Sequence, residues 1–116
     1  MGSFVSVAKN GELAEKTMQK FTVQGREILV AKIGDTCYAV DNRCTHLGAD
    51  LSKGKLEGTV VTCPLHGSQF DLRDGRVIRW TNWPRLIAAA GKVIKPARPL
   101  QTYNVKVEGD DILIET

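Results

Sequence analysis

Short segments rich in apolar and β-branched residues recur along this chain, and glycine with Asp or Asn separates them. This spacing is typical of an all-β protein. Nine strands are predicted: Phe4–Ala8, Met18–Val23, Glu27–Ile33, Thr36–Val40, Thr59–Thr62, Gln69–Asp71, Val77–Ile78, Thr102–Val107 and Ile112–Glu115. Turns are predicted at Gln24-Gly25, Gly34-Asp35, Asp74-Gly75 and Gly109-Asp110. Each turn contains a glycine, which tolerates the positive φ that tight hairpins require.

In two segments the spacing of apolar residues also predicts which face is buried or which secondary structure forms. In Thr102–Val107, the apolar residues Tyr103, Val105 and Val107 alternate with polar neighbours, so we expect one face of this strand to lie in the core. From Trp80 to Gly91, apolar residues recur at intervals of three and four, as on one face of a helix. Because proline suits the first turn of a helix and glycine its end, a short helical insertion is predicted at 84–90.

Composition limits the classes of protein that remain. A chain of 116 residues has the size of one domain, so we expect residues 1–116 to form a single unit. No apolar stretch approaches the roughly 18 residues that a membrane span needs. The N-terminus lacks the pattern of a signal peptide, and we expect a soluble, cytoplasmic protein. A net charge of +3 without a long basic run argues against nucleic acid as a partner.

Basic residues are concentrated in the second half of the chain. Between Leu72 and Arg98 a single acid, Asp74, accompanies seven bases: Arg73, Arg76, Arg79, Arg85, Lys92, Lys95 and Arg98. A solvated surface is the usual explanation of such a run, but the asymmetry also permits an acidic partner near the predicted helix.

The candidate chemistry lies in two clusters of cysteine and histidine. Cys44-Thr45-His46 is followed, after sixteen residues, by Cys63-Pro64-Leu65-His66. These clusters contain both histidines of the chain and two of its three cysteines. Each offers one thiolate and one imidazole within four residues, so each can bind metal from a single loop. The third cysteine, Cys37, lies in a predicted strand, where a small buried residue is its expected role.

Three kinds of metal site use such residues. A mononuclear zinc site with two Cys and two His has the same ligands, but zinc sites usually pair Cys with Cys and His with His. Two mixed loops suit a [2Fe–2S] cluster in which one iron has two Cys and the other two His. A mononuclear oxygenase iron needs further histidines that the chain lacks. The residues favour the iron–sulfur cluster and leave zinc as the alternative.

The flanking residues carry a family resemblance. Cys44-Thr45-His46-Leu47-Gly48 and Cys63-Pro64-Leu65-His66-Gly67-Ser68-Gln69-Phe70-Asp71 resemble the two cluster loops of Rieske-type [2Fe–2S] ferredoxins. The resemblance implies a Rieske fold, in which antiparallel sheets stack and the cluster loops lie at one tip. It implies one [2Fe–2S] cluster, with Cys44 and Cys63 on the inner iron and His46 and His66 on the outer iron.

The chain also departs from one branch of that family. Rieske subunits of respiratory complexes have two further cysteines that bridge the loops, and the matching positions here are Ala49 and Leu65. Those subunits also have a tyrosine two residues after the loop serine, where this chain has Phe70. Fewer hydrogen bonds to sulfur stabilise the reduced cluster less. The resemblance is therefore to the low-potential soluble ferredoxins.

The resemblance implies an electron carrier and not an enzyme. Its expected donor is an NAD(P)H-dependent flavin reductase, and its expected acceptor is a Rieske oxygenase such as a ring-hydroxylating dioxygenase. Two alternatives remain at this point. One is the small Rieske subunit of another redox complex, similar to that of a nitrite reductase. The other is a structural or interaction domain that binds zinc.

Overall fold

The computed structural model describes residues 3–44, 49–64, 67–79 and 99–115. Within them, eleven strands form, with bounds β1 Phe4–Lys9, β2 Thr17–Val23, β3 Arg26–Ile33, β4 Thr36–Asp41, β5 Lys55–Glu57, β6 Val60–Thr62, β7 Gln69–Asp71, β8 Val77–Arg79, β9 Thr102–Tyr103, β10 Val105–Glu108 and β11 Asp111–Glu115. Two 3-10 turns accompany them, at Asn10–Glu12 and Leu51–Lys53. The described part of the chain is therefore all-β, as predicted.

The strands form three antiparallel sheets. An outer sheet has the order β1-β11-β10, a middle sheet β2-β3-β4-β9, and a third sheet β5-β6-β7-β8. Strand β3 shows how they stack, because its central residues are buried on both faces. Ile28 and Val30 pack into the core shared with the outer sheet, whereas Leu29 and Ala31 pack into the core shared with the third sheet. A continuous apolar run in the sequence thus marks the strand between two cores.

Eight of the nine predicted strands are present with ends within one residue of the prediction, the ninth is divided into β9 and β10, and the structure adds one strand. Strand β5 was not predicted, because Lys55-Leu56-Glu57 contains one apolar residue and leaves no pattern to detect. The predicted turns at Gly25, Gly34, Gly75 and Gly109 are confirmed, and each of these glycines has a positive φ, between 59° and 81°. At Gly75 a left-handed backbone is combined with close contact to the Leu100 carbonyl, so a side chain has no space there.

The prediction that Thr102–Val107 is one strand with one buried face is wrong in part. The chain crosses from the middle sheet to the outer sheet at Asn104, whose carbonyl accepts a hydrogen bond from the Glu115 N–H at 2.9 Å. Tyr103 is buried and Val105 packs against the core, but Val107 is 42% exposed. Val107 lies near the turn at Gly109 and, unlike Val105, does not pack against this core.

The predicted helix at 84–90 lies outside the described residues, as does the whole of the Trp80–Pro96 segment. Among the residues described, no helix has the length and apolar character needed to cross a membrane.

Candidate metal centre

Two hairpin loops of equal length carry the predicted ligands. In the first, the Cys44 N–H donates to the Ala49 carbonyl at 2.9 Å, and in the second the Cys63 N–H donates to the Ser68 carbonyl at 2.7 Å. Each loop therefore has six residues, with a cysteine as the first. The residue pairs directly below the loops are antiparallel neighbours, Arg43 with Asp50 and Thr62 with Gln69. The same backbone closure thus presents the two cysteines at equivalent positions.

The structure brings these two cysteines into one core. Cys44 is 1% exposed and Cys63 4%, and both belong to the cluster of buried residues between the middle and third sheets. They are not joined in a disulfide. Cys37 is half-buried and packs against the other core, between the middle and outer sheets. Burial raises the pKa of the Cys37 thiol, which keeps it protonated.

His46 and His66 lie outside the described residues, together with Thr45, Leu47, Gly48 and Leu65. By sequence they belong to the two six-residue loops, at the third and fourth positions. Their part in the site therefore remains a prediction.

A polar network holds the base of the first loop. Asn42 is buried, and its side-chain amide donates to the Asp50 carboxylate at 2.6 Å while its oxygen accepts from the Ser52 N–H at 2.9 Å. The Ser52 hydroxyl and the Lys20 ammonium also donate to Asp50. Burial raises the pKa of Asp50, but the hydrogen bonds from Ser52, Asn42 and Lys20 outweigh it and hold this pKa well below its ordinary value. The carboxylate therefore stays charged and fixes the loop.

Ion pairs to a buried carboxylate hold the turn between β7 and β8. Asp71 lies at the end of β7 with its side chain buried, and Arg73 donates to it through both Nε and Nη2, the latter at 2.7 Å. The Arg76 guanidinium adds a contact at 3.5 Å. The hydrogen bonds from Arg73 outweigh the effect of burial and lower the pKa of Asp71 to about 2. Asp71 is part of the sequence motif, but this role could not be predicted, since nothing local shows which carboxylate becomes buried.

Ser68 tests whether the site suits a cluster with sulfide bridges. Its side chain is fully buried at the end of the second loop, and its hydroxyl has no hydrogen-bond partner among the described residues. A buried hydroxyl without an acceptor costs about 1–3 kcal/mol. The sulfur atoms of a [2Fe–2S] cluster on the neighbouring cysteines are acceptors, so the residues present fit this group.

Comparison with known proteins identifies the family. The profile of the Rieske [2Fe-2S] domain matches residues 3–104. The ferredoxin component of biphenyl 2,3-dioxygenase from Rhodococcus jostii is 32% identical over 113 residues, which cover 97% of this chain and 92% of that protein. The ferredoxin component of a naphthalene 1,2-dioxygenase system from Pseudomonas aeruginosa is 36% identical over 104 residues, covering 90% and 86%.

Solved structures agree with this match. The ferredoxin of carbazole 1,9a-dioxygenase from Nocardioides aromaticivorans superposes with a TM-score of 0.78 at 30% identity, over 97% of this chain and 96% of that one. A chain from a complex of reduced oxygenase and oxidized ferredoxin in carbazole 1,9a-dioxygenase superposes with a TM-score of 0.77 at 25% identity, covering 97% and 92%.

The chain belongs to the Rieske [2Fe-2S] domain family. Its cofactor is therefore a [2Fe–2S] cluster, and the alternative of a zinc site, which the sequence had left open, is wrong. Like the ferredoxin components that it resembles, it is an electron carrier and not an enzyme.

Proposed function

We propose that this ferredoxin passes single electrons from an NAD(P)H-dependent flavin reductase to a ring-hydroxylating Rieske oxygenase. Its cluster is held by Cys44 and Cys63 on the inner iron and by His46 and His66 on the outer iron. The observation that carries the assignment is the pair of equal loops, which bring two buried cysteines into one core. A [2Fe–2S] cluster takes up and releases one electron at a time.

Relatives support the choice of acceptor. Two of them are ferredoxin components of biphenyl and naphthalene dioxygenases, and one solved structure is a complex of a ferredoxin with its oxygenase. We propose that residues 1–116 act as one domain and that the protein works in the cytoplasm, where NAD(P)H supplies the reductase.

The exposed basic side chains of the β7–β8 hairpin suit an acidic partner, and one of them, Arg79, contacts the second loop. The side chains of Arg73 and Arg76 remain 56% and 59% exposed although both contact Asp71. On the outer sheet, by contrast, exposed acids predominate near the turn at Gly109. The basic residues Arg85 and Lys92 extend the same sequence stretch but lie outside the described residues. We propose that the oxygenase docks on the basic side, close to the cluster loops.

Reconstitution tests the proposed function. Air-saturated mixtures of NADH, a flavin reductase, this ferredoxin, a ring-hydroxylating oxygenase and an aromatic substrate are expected to form dihydrodiol only when the ferredoxin is present, since NADH supplies the two electrons and O2 both oxygen atoms of the product. Because opposite charges steer the docking, the second-order rate constant for reduction of the oxygenase should fall about tenfold when salt rises from about 20 mM to about 300 mM.

Two controls make this test specific. The extent to which dithionite reduces the ferredoxin, and the visible spectrum of the protein, should not change over the same range of salt. A ferredoxin that the reductase reduces fully but that no oxygenase oxidises would contradict the acceptor, and a rate constant independent of salt would contradict docking on the basic side.

The reduction potential is expected near the lower end of the Rieske range, about −150 mV. Phe70 is fully buried in the core that contains both cysteines, and it offers no donor to a sulfur atom. Phe70→Tyr should raise the potential by some tens of millivolts, since a new hydrogen bond to sulfur stabilises the reduced cluster. Direct electrochemistry measures both values. Phe21 packs in the other core, so Phe21→Tyr is the matched control and should leave the potential unchanged.

A further inference from the structure

Arg79 contacts the second cluster loop directly. It is the last residue of β8, at the edge of the third sheet. Its guanidinium donates two hydrogen bonds to one acceptor, the Gly67 carbonyl, from Nε at 3.1 Å and from Nη2 at 2.9 Å. Hydrogen bonds from a charged donor are about twice as strong as neutral ones. This is a specific contact between an edge strand and a loop twelve residues away.

An irregularity in β8 places Arg79 for this contact. Gln69 pairs with Arg79 and Phe70 pairs with Val77, so two consecutive residues of β7 span three residues of β8. Ile78 is the extra residue, and its side chain is 45% exposed. Such a bulge bends the strand and changes the direction of neighbouring side chains. The guanidinium consequently reaches back over Gln69 to the loop.

Gly67 is held from both of its backbone groups. Its N–H donates to the Cys63 carbonyl at 3.2 Å, and its carbonyl receives the guanidinium of Arg79. A φ of 73° at this position favours glycine, since other residues rarely adopt the left-handed conformation. Gly67 directly follows His66 and precedes Ser68. Its two contacts therefore fix the backbone between the proposed outer-iron ligand and the buried hydroxyl.

We propose that Arg79 is a positioning residue for the cluster loop at 63–68 and that it raises the reduction potential. It acts in two ways: the two hydrogen bonds keep the loop closed on the cluster, and the positive charge stabilises the more negative, reduced form. The proposal rests on the assignment of the cluster to the two loops. The proposal predicts that the charge of Arg79 mainly affects the reduction potential, and that its two hydrogen bonds mainly affect the retention of iron.

Three variants separate these effects. Arg79→Gln removes the charge and the forked donor, whereas Arg79→Lys keeps the charge but provides a single flexible donor. Lys55→Gln is the matched control for charge. Lys55 pairs with Thr62, Thr62 with Gln69 and Gln69 with Arg79, so Lys55 and Arg79 lie at opposite edges of one row across the sheet. The Lys55 ammonium contacts Glu57, at 3.9 Å.

Potentiometry and the rate of iron release to a chelator are the measurements, made on purified protein that contains its cluster. Arg79→Gln should shift the equilibrium toward the oxidised form by about threefold to tenfold, where tenfold corresponds to about 59 mV for one electron. It should also release iron several times faster than wild type. Arg79→Lys should recover most of the potential but still release iron faster, and Lys55→Gln should change both values little.

Several results would overturn the proposal. One is an Arg79→Gln protein with the potential and release rate of wild type. Another is a shift of the potential by Lys55→Gln that equals the shift by Arg79→Gln, since the net charge of the protein, and not a charge in contact with the loop, would then explain it. If the Arg79→Gln protein does not accumulate, the Arg79→Lys protein provides the test. Iron release from that variant at the wild-type rate would exclude the positioning role. Wild-type protein without iron would instead contradict the proposed function.

Discussion

Replacing Cys44 or Cys63 by serine is expected to give protein without a cluster, colourless and with less than about a tenth of the wild-type iron. Each substitution removes one of two thiolates, and a serine hydroxyl is a poor ligand for iron in a sulfide cluster. Both positions are almost completely buried, so the new hydroxyl also lies in an apolar core. Iron and acid-labile sulfide are measured per chain, and wild type should contain about two of each.

Cys37→Ser is the matched control for this prediction. Cys37 packs in the core between the middle and outer sheets, away from the core that contains the other two cysteines. Its replacement should leave the visible spectrum and the rhombic EPR signal of the reduced cluster unchanged. Circular dichroism of all three variants shows whether the strands form. If Cys37→Ser loses the cluster and Cys44→Ser retains it, the ligand assignment is wrong.

The strands could be predicted from sequence because their signals are local. The continuous apolar run Ile28–Ala31 indicates a strand, and the glycines indicate the hairpin turns; each of these signals lies within its own segment. The paired motif also identified the two cysteines that the structure places in one core. By contrast, β5 has three residues and one apolar side chain, and it forms because β6 provides a partner.

The polar residues that hold the first loop and the turn after β7 could not be predicted, because their roles depend on the folded structure and not on a local pattern. Asn42, Asp50 and Asp71 are ordinary polar residues in the sequence, and neither the burial of Asn42 and Asp71 nor the hydrogen bonds of Asp50 can be read from it. Arg79 belongs to a run of seven bases, which suggested a docking surface. Its hydrogen bonds to Gly67 depend on a bulge in β8 that no sequence pattern indicates. The motif thus predicts where a cluster binds, whereas the residues that hold the loops become visible only in three dimensions.

Gly54→Ala is expected to destabilise the fold strongly, because an added methyl group has no space there. A Cβ on Gly54 would overlap the Thr62 carbonyl oxygen and would lie 3.1 Å from the carbon of that carbonyl and 3.2 Å from the Leu51 carbonyl oxygen. All three atoms are backbone, so no side-chain rotation relieves the overlap. Either the 3-10 turn at Leu51–Lys53 or strand β6 must move, and Thr62 is the residue directly before Cys63.

The expected cost is about 3 kcal/mol, at the upper end of the usual range for overpacking. For a domain of this size the thermal midpoint should fall by about 10 °C. Because β6 leads into the second loop, the variant should also lose iron to a chelator faster than wild type does. Gly11→Ala is the control, since no atom lies within 4 Å of the added Cβ and its φ is not in the left-handed range. It should leave the midpoint within a few degrees of wild type. Equal midpoints for the two variants would show that the turn at Leu51–Lys53 and β6 separate freely, and that their close contact does not hold the second loop in place.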